Sequence, residues 1–99
     1  MTPTEITAAH AAGADIVKLF PAGALGVEYF KAIKAPLRHI PVAAVGGVTP
    51  ENLLLFKKAG ACAYGISTGI FNAAAIKSED YEHVRLLARE YVRLAAQQD

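Results

Sequence analysis

Lys18 stands in the middle of an apolar run, Ile16-Val17-Lys18-Leu19-Phe20-Pro21. Lysine is among the residues least often buried, so its place there needs a reason. One reason is a side chain that snorkels from an edge strand or answers a carboxylate such as Asp15. The other is chemical. Desolvation disfavours an ammonium and frees the amine to attack a carbonyl carbon. Alternation along a strand puts Ile16, Lys18 and Phe20 on one face and Asp15, Val17 and Leu19 on the other. A lysine facing the inside of a barrel from such a strand suits an enzyme that works through a Schiff base.

Two glycine-bearing segments follow other apolar runs. Val45-Gly46-Gly47-Val48 precedes Thr49-Pro50, and Gly65-Ile66-Ser67-Thr68-Gly69 follows the last run. Glycines at strand ends let the backbone approach a ligand, and the next N–H groups can cradle an anion. The alternative is that they only make tight turns. The other reactive residues read as background. His10, His39 and His83 have no metal-ligand spacing. Cys62 reads as a core residue rather than a nucleophile, because free cysteine is commonly buried. Tyr29, Tyr64, Tyr81 and Tyr91 are scattered and suit packing.

The elements that must carry these residues repeat. Thr2-Pro3 is followed by Ala12-Gly13-Ala14, and Thr49-Pro50 by Ala59-Gly60-Ala61, a period of about 47 residues. In each copy Thr caps a helix, Pro takes its first position and Gly ends it. Thr2 and Glu5 have the spacing of a capping box, and Glu51 suits the first turn of the second helix. Each helix leads into a short apolar run: Ile16 to Phe20 first, then Cys62 to Ile66. Ile40 to Val45 forms another between them. Continuous rather than alternating runs predict parallel strands covered on both faces. Val27, Phe30 and Ile33 suit a short helix that Pro36 ends. Val84, Leu87, Ala88, Tyr91, Leu94 and Ala95 predict a last helix starting near Ser78. The order is α-β-α-β-α-β-α, with right-handed crossovers between parallel strands. No linker divides the chain, so residues 1–99 read as one unit.

Composition narrows the function. At 54% hydrophobic with a net charge of +1, the chain is neither disordered nor a basic nucleic-acid binder. It has no apolar stretch long enough to span a membrane. One cysteine, with no secretory pattern at the start, predicts a cytoplasmic protein. The 99 residues fall well short of the roughly 200 or more of a closed (β/α)8 barrel.

These residues resemble the C-terminal half of the 2-keto-3-deoxy-6-phosphogluconate aldolases, a family that also acts on 4-hydroxy-2-oxoglutarate. The matching segments are Met1 to Glu5, Ala12 to Ala22 with its Lys18-Leu19-Phe20-Pro21-Ala22 motif, Gly46-Gly47-Val48, and Gly60-Ala61. The resemblance implies an α/β fold of the TIM (β/α)8 type, here a partial barrel. Its three parallel strands correspond to strands six to eight, with four helices around them. It implies a trimer as the usual assembly, with no metal and no cofactor. Lys18 matches the Schiff-base lysine. Gly46, Gly47 and Val48 match the phosphate loop after strand seven, and Thr68 matches the phosphate-contacting serine after strand eight. Phe20, Pro21 and Ser67 complete the substrate- and phosphate-binding set. Two positions depart from the pattern. Val45 replaces the usual threonine before the glycine pair, and Ser67-Thr68 replaces the usual Gly-Ser.

The implied reaction is class I aldolase cleavage of a 2-oxo acid or sugar-acid phosphate into pyruvate and an aldehyde. The family's acid/base glutamate, and the arginine and threonine that grip the pyruvate carboxylate, lie early in its barrel and have no match here. Glu5 and Glu28 are helical by pattern. Impaired turnover is therefore expected. Two other readings stand beside it: a non-catalytic half-barrel that self-associates through its open sheet edges, and a module that binds phosphate through the glycine loops.

Overall fold

The computed structural model describes residues 1–97. Its elements are α1 (Pro3–Ala11), β1 (Val17–Leu19), α2 (Ala22–Leu25), α3 (Val27–Lys34), β2 (Val42–Val45), α4 (Leu53–Lys58), β3 (Ala63–Gly65), α5 (Ala73–Lys77) and α6 (Tyr81–Ala96). The three strands form one parallel sheet in the order β1-β2-β3, with Lys18 beside Ala43 and Val45 beside Gly65. The α/β alternation is as expected. Two short helices, α2 and α5, add to the four anticipated. Spanning 4 and 5 residues, they are too short to register as a periodic pattern.

Both copies of the repeat start the same way. Thr2 caps α1: its hydroxyl accepts from the Glu5 N–H, and the Glu5 carboxylate accepts from the Thr2 N–H at 3.0 Å. Thr49 does likewise, with Asn52 as the partner. The Asn52 N–H donates to the Thr49 hydroxyl at 3.2 Å, and the Thr49 N–H donates to Asn52 Oδ1 at 2.7 Å. The regular helix then begins at Leu53, later than the threonine alone implies. Gly13 and Gly60 end the two segments with φ of +106° and +110°. The last helix begins at Tyr81 rather than near Ser78. Glu79 takes φ +57°, and the Asp80 side chain caps the helix by accepting from the His83 N–H.

The core lies on one face of the sheet. Val17, Leu19, Val42 and Ala44 are buried against Ile6 of α1, Phe30 and Ile33 of α3, and Leu53 and Phe56 of α4. Phe30 and Phe56 meet edge to face at 5.6 Å. Burying each ring contributes about 1.5–3 kcal/mol. α6 packs on α4 through Tyr91 and Leu94. Its outer side carries the Glu82–Arg85 and Glu90–Arg93 pairs, which are exposed and add little stability. Cys62 is exposed, not core. It precedes β3, which is an edge strand, so no further strand covers it among the described residues. Among those residues no helix is long and apolar enough to cross a membrane.

Candidate active site

The alternation in β1 decides where Lys18 goes. Val17 and Leu19 are 3% and 1% exposed, and Lys18 points to the opposite, open face. Ile16 and Phe20 share that face and are about half exposed. The desolvation expected of Lys18 is absent, because no layer covers this face of the sheet among the described residues. The Lys18 Nζ instead lies 5.4 Å from the centre of the Phe20 ring, within cation–π range.

All three strands deliver loops to the same end. Lys18, Phe20, Val45, Gly46, Gly47, Val48 and the segment from Gly65 to Gly69 line one cleft of about 540 Å³. Lys18 and the two glycine segments, separate in the sequence, therefore face a common space. Of the residues singled out from sequence, only Pro21 is outside the lining. It follows Phe20 through a cis peptide bond and leads into α2.

The loop after β2 is shaped by close approach. Gly46 has φ +90°, and a Cβ there would lie 2.6 Å from the Phe20 ring. Gly47 backs onto Gly23 of α2, where a Cβ would lie 2.6 Å from the Gly47 oxygen. The Gly23 N–H donates to the Gly46 oxygen at 2.7 Å. Asn52 holds the far side, its Nδ2 donating to the Gly47 oxygen at 3.0 Å. The loop after β3 is a turn in which the Ser67 oxygen accepts from Ile70 and Phe71. The backbone N–H groups of Gly47, Val48, Thr68 and Gly69 donate to no protein acceptor among the described residues. Unpaired backbone donors on two loops that line the cleft, with the Ser67 and Thr68 hydroxyls, make an environment suited to an anion.

Gly23 and Asn52 also shape the site, and neither stands out in the sequence as a site residue. Gly23 lies only two residues past Pro21, and the glycine beside the motif was its one signal. Asn52, three residues after Thr49, had the spacing of a capping partner. Among the described residues, no aspartate or glutamate lines the cleft. Glu5 is held by its cap, and Glu28 lies in the first turn of α3. Among the described residues, no group of three or more His, Cys, Asp or Glu gathers as a metal site.

Comparison with known proteins gives the arrangement a context. The family model for aldolases of the KDPG and KHG type matches residues 1–87. The chain is 47% identical over 73 residues to the 2-dehydro-3-deoxy-6-phosphogalactonate aldolase of Escherichia coli (strain K12), covering 73% of this chain and 36% of that protein. It superposes on a solved native KDPGal structure with a TM-score of 0.77 and 36% identity, covering 97% of this chain and 47% of that one. A designed cube-shaped, highly porous protein cage, made by fusing symmetric oligomeric domains, matches with a TM-score of 0.75 and 37% identity. That match covers 94% of this chain and 35% of the cage chain. The chain thus spans less than half the length of these proteins, and its fold is a partial (β/α)8 barrel.

Proposed function

This chain belongs to the KDPG and KHG aldolase family, and from that premise we propose that Lys18 forms a Schiff base with a 2-oxo acid. The observation that carries the reading is the shared cleft, where one lysine faces two loops rich in backbone donors. Lys18 Nζ attacks the keto carbon, and loss of water leaves an iminium. A base takes the proton from the C4 hydroxyl as the C3–C4 bond breaks. The bonding pair moves toward the iminium nitrogen, the C4 fragment leaves as an aldehyde, and an enamine remains. Protonation at C3 and hydrolysis release pyruvate and restore Lys18.

The substrate class is a 4-hydroxy-2-oxo acid. 2-Keto-3-deoxy-6-phosphogluconate and 4-hydroxy-2-oxoglutarate are candidates, giving glyceraldehyde 3-phosphate and glyoxylate respectively. The name of the Escherichia coli relative adds the phosphogalactonate isomer. A phosphate at the far end of such a substrate would meet Gly46, Gly47, Val48, Ser67 and Thr68, while Phe20 packs beside the reacting carbons. Val45 offers methyl groups where a threonine would offer a hydroxyl. We place the reaction in the cytoplasm, where a lone exposed thiol is kept reduced.

Among the described residues, the cleft has no carboxylate for proton transfer. General acid/base help accounts for about 10²–10⁴-fold in rate, so in this chain imine formation outruns cleavage. Borohydride reduction with pyruvate, read by intact mass, tests the nucleophile without needing turnover. The expected result is a single reduced adduct that disappears in Lys18→Ala. An unmodified chain, or an adduct that persists in Lys18→Ala, overturns the reading.

A further inference from the structure

Tyr91 of α6 lies behind both loops of the cleft although its helix contributes nothing to the lining. It is 5% exposed. Its phenol oxygen lies 3.4 Å from the Val48 carbonyl oxygen, to which the hydroxyl donates in a long hydrogen bond. The same oxygen occupies the space a side chain would need at Gly69: a Cβ there would collide with Tyr91 Oη and lie 3.2 Å from Cζ. Val48 belongs to the loop after β2 and Gly69 to the loop after β3. One oxygen atom therefore touches the backs of two segments whose fronts face the cleft.

We propose that Tyr91 is a positioning residue whose hydroxyl sets the spacing between the two loops, and so tunes how tightly the cleft holds a phosphate group. The inference rests on the reading of those loops as the phosphate site. A cradle of backbone donors binds an oxyanion only when the donors of both loops reach it together, which makes affinity sensitive to their separation. The phenol suits a fixed spacer. Its ring is locked in the core beside Ile66 and Ile70, with one polar atom reaching out between the loops. Burial, with the nearby Glu51 charge adding to it, raises the Tyr91 pKa above the usual tyrosine range. The hydroxyl accordingly stays a neutral donor at physiological pH. Gly69 is the complement: it has no side chain because the phenol oxygen is there.

Tyr91→Phe removes the oxygen and leaves the ring in place. Titration of the full chain with inorganic phosphate, followed by thermal unfolding, reads the affinity, and borohydride trapping with pyruvate reads Lys18 separately. Tyr91→Phe is expected to weaken phosphate binding by about two- to tenfold, the range for one lost neutral hydrogen bond. Pyruvate trapping should proceed at the wild-type rate, which a general loss of structure would not allow. Gly69→Ala should weaken phosphate binding more in the wild-type background than in Tyr91→Phe, where the collision with the oxygen is gone. Unchanged phosphate affinity in Tyr91→Phe, or equal effects of Gly69→Ala in both backgrounds, overturns the role of Tyr91 alone. A wild-type chain that trapping labels but phosphate does not stabilise overturns the phosphate site and this inference with it.

Discussion

The backbone of Gly46 lies directly against the ring of Phe20: a Cβ at Gly46 would sit 2.6 Å from one edge carbon and 2.7 Å from the next. The same ring lies 5.4 Å from the Lys18 amine. Phe20 therefore ties the end of β1 to the end of β2 and places the amine beside the glycine loop. Gly46→Ala is expected to destabilise the chain by more than about 1 kcal/mol, from strain at φ +90° and the collision with the ring. In a Phe20→Ala background only the strain remains, so the same substitution should cost less. Urea unfolding of the four proteins measures the difference. Equal costs in both backgrounds would show that the ring is no obstacle.

Asn52 takes part in three hydrogen bonds that involve a side chain. It accepts from the Thr49 N–H, donates its own N–H to the Thr49 hydroxyl, and donates from Nδ2 to the Gly47 oxygen. It thus joins the start of α4 to the glycine loop. Asn52→Ala deletes both side-chain bonds and leaves the half-buried Thr49 N–H without its acceptor, a cost of about 1–3 kcal/mol. Asn52→Asp keeps the acceptor but loses the donor to Gly47, so its stability should fall between wild type and Asn52→Ala. A urea midpoint unchanged in Asn52→Ala would show that the turn is held elsewhere.

What the sequence disclosed, and what it hid, follows from the range of each interaction. Thr2 and Glu5 are three residues apart, so their mutual capping is visible as spacing. The face of Lys18 follows from the period of a strand, since Val17 and Leu19 need the core. Its exposure did not follow, because burial depends on what covers the sheet rather than on β1 itself. The positions of Gly23 and Tyr91 behind the loops are contacts between distant segments, and no local pattern encodes them. α2 and α5 are single turns, below the length at which periodicity speaks. The exposure of Cys62 is hidden for a related reason: whether a strand lies at an edge is a property of the sheet.

The open face of the sheet leads to a last prediction, self-association. β1 and β3 are each paired on one side only among the described residues, which leaves two rows of backbone donors and acceptors. Parallel strands are normally covered on both faces, and an unpaired edge is a template for another strand. Here the face opposite the core exposes Ile16 and Phe20, 53% and 52% accessible. A second copy that pairs at both edges would satisfy the backbone groups and close the two sheets around these side chains. Light scattering of the isolated chain is expected to give a mass greater than one chain. Ile16→Lys places a charge on the face to be covered and should shift the population toward the monomer. Ile16 does not line the cleft, so pyruvate trapping by Lys18 reports whether the variant is still folded. A wild-type chain that stays monomeric and folds cooperatively across the concentrations tested would refute the prediction.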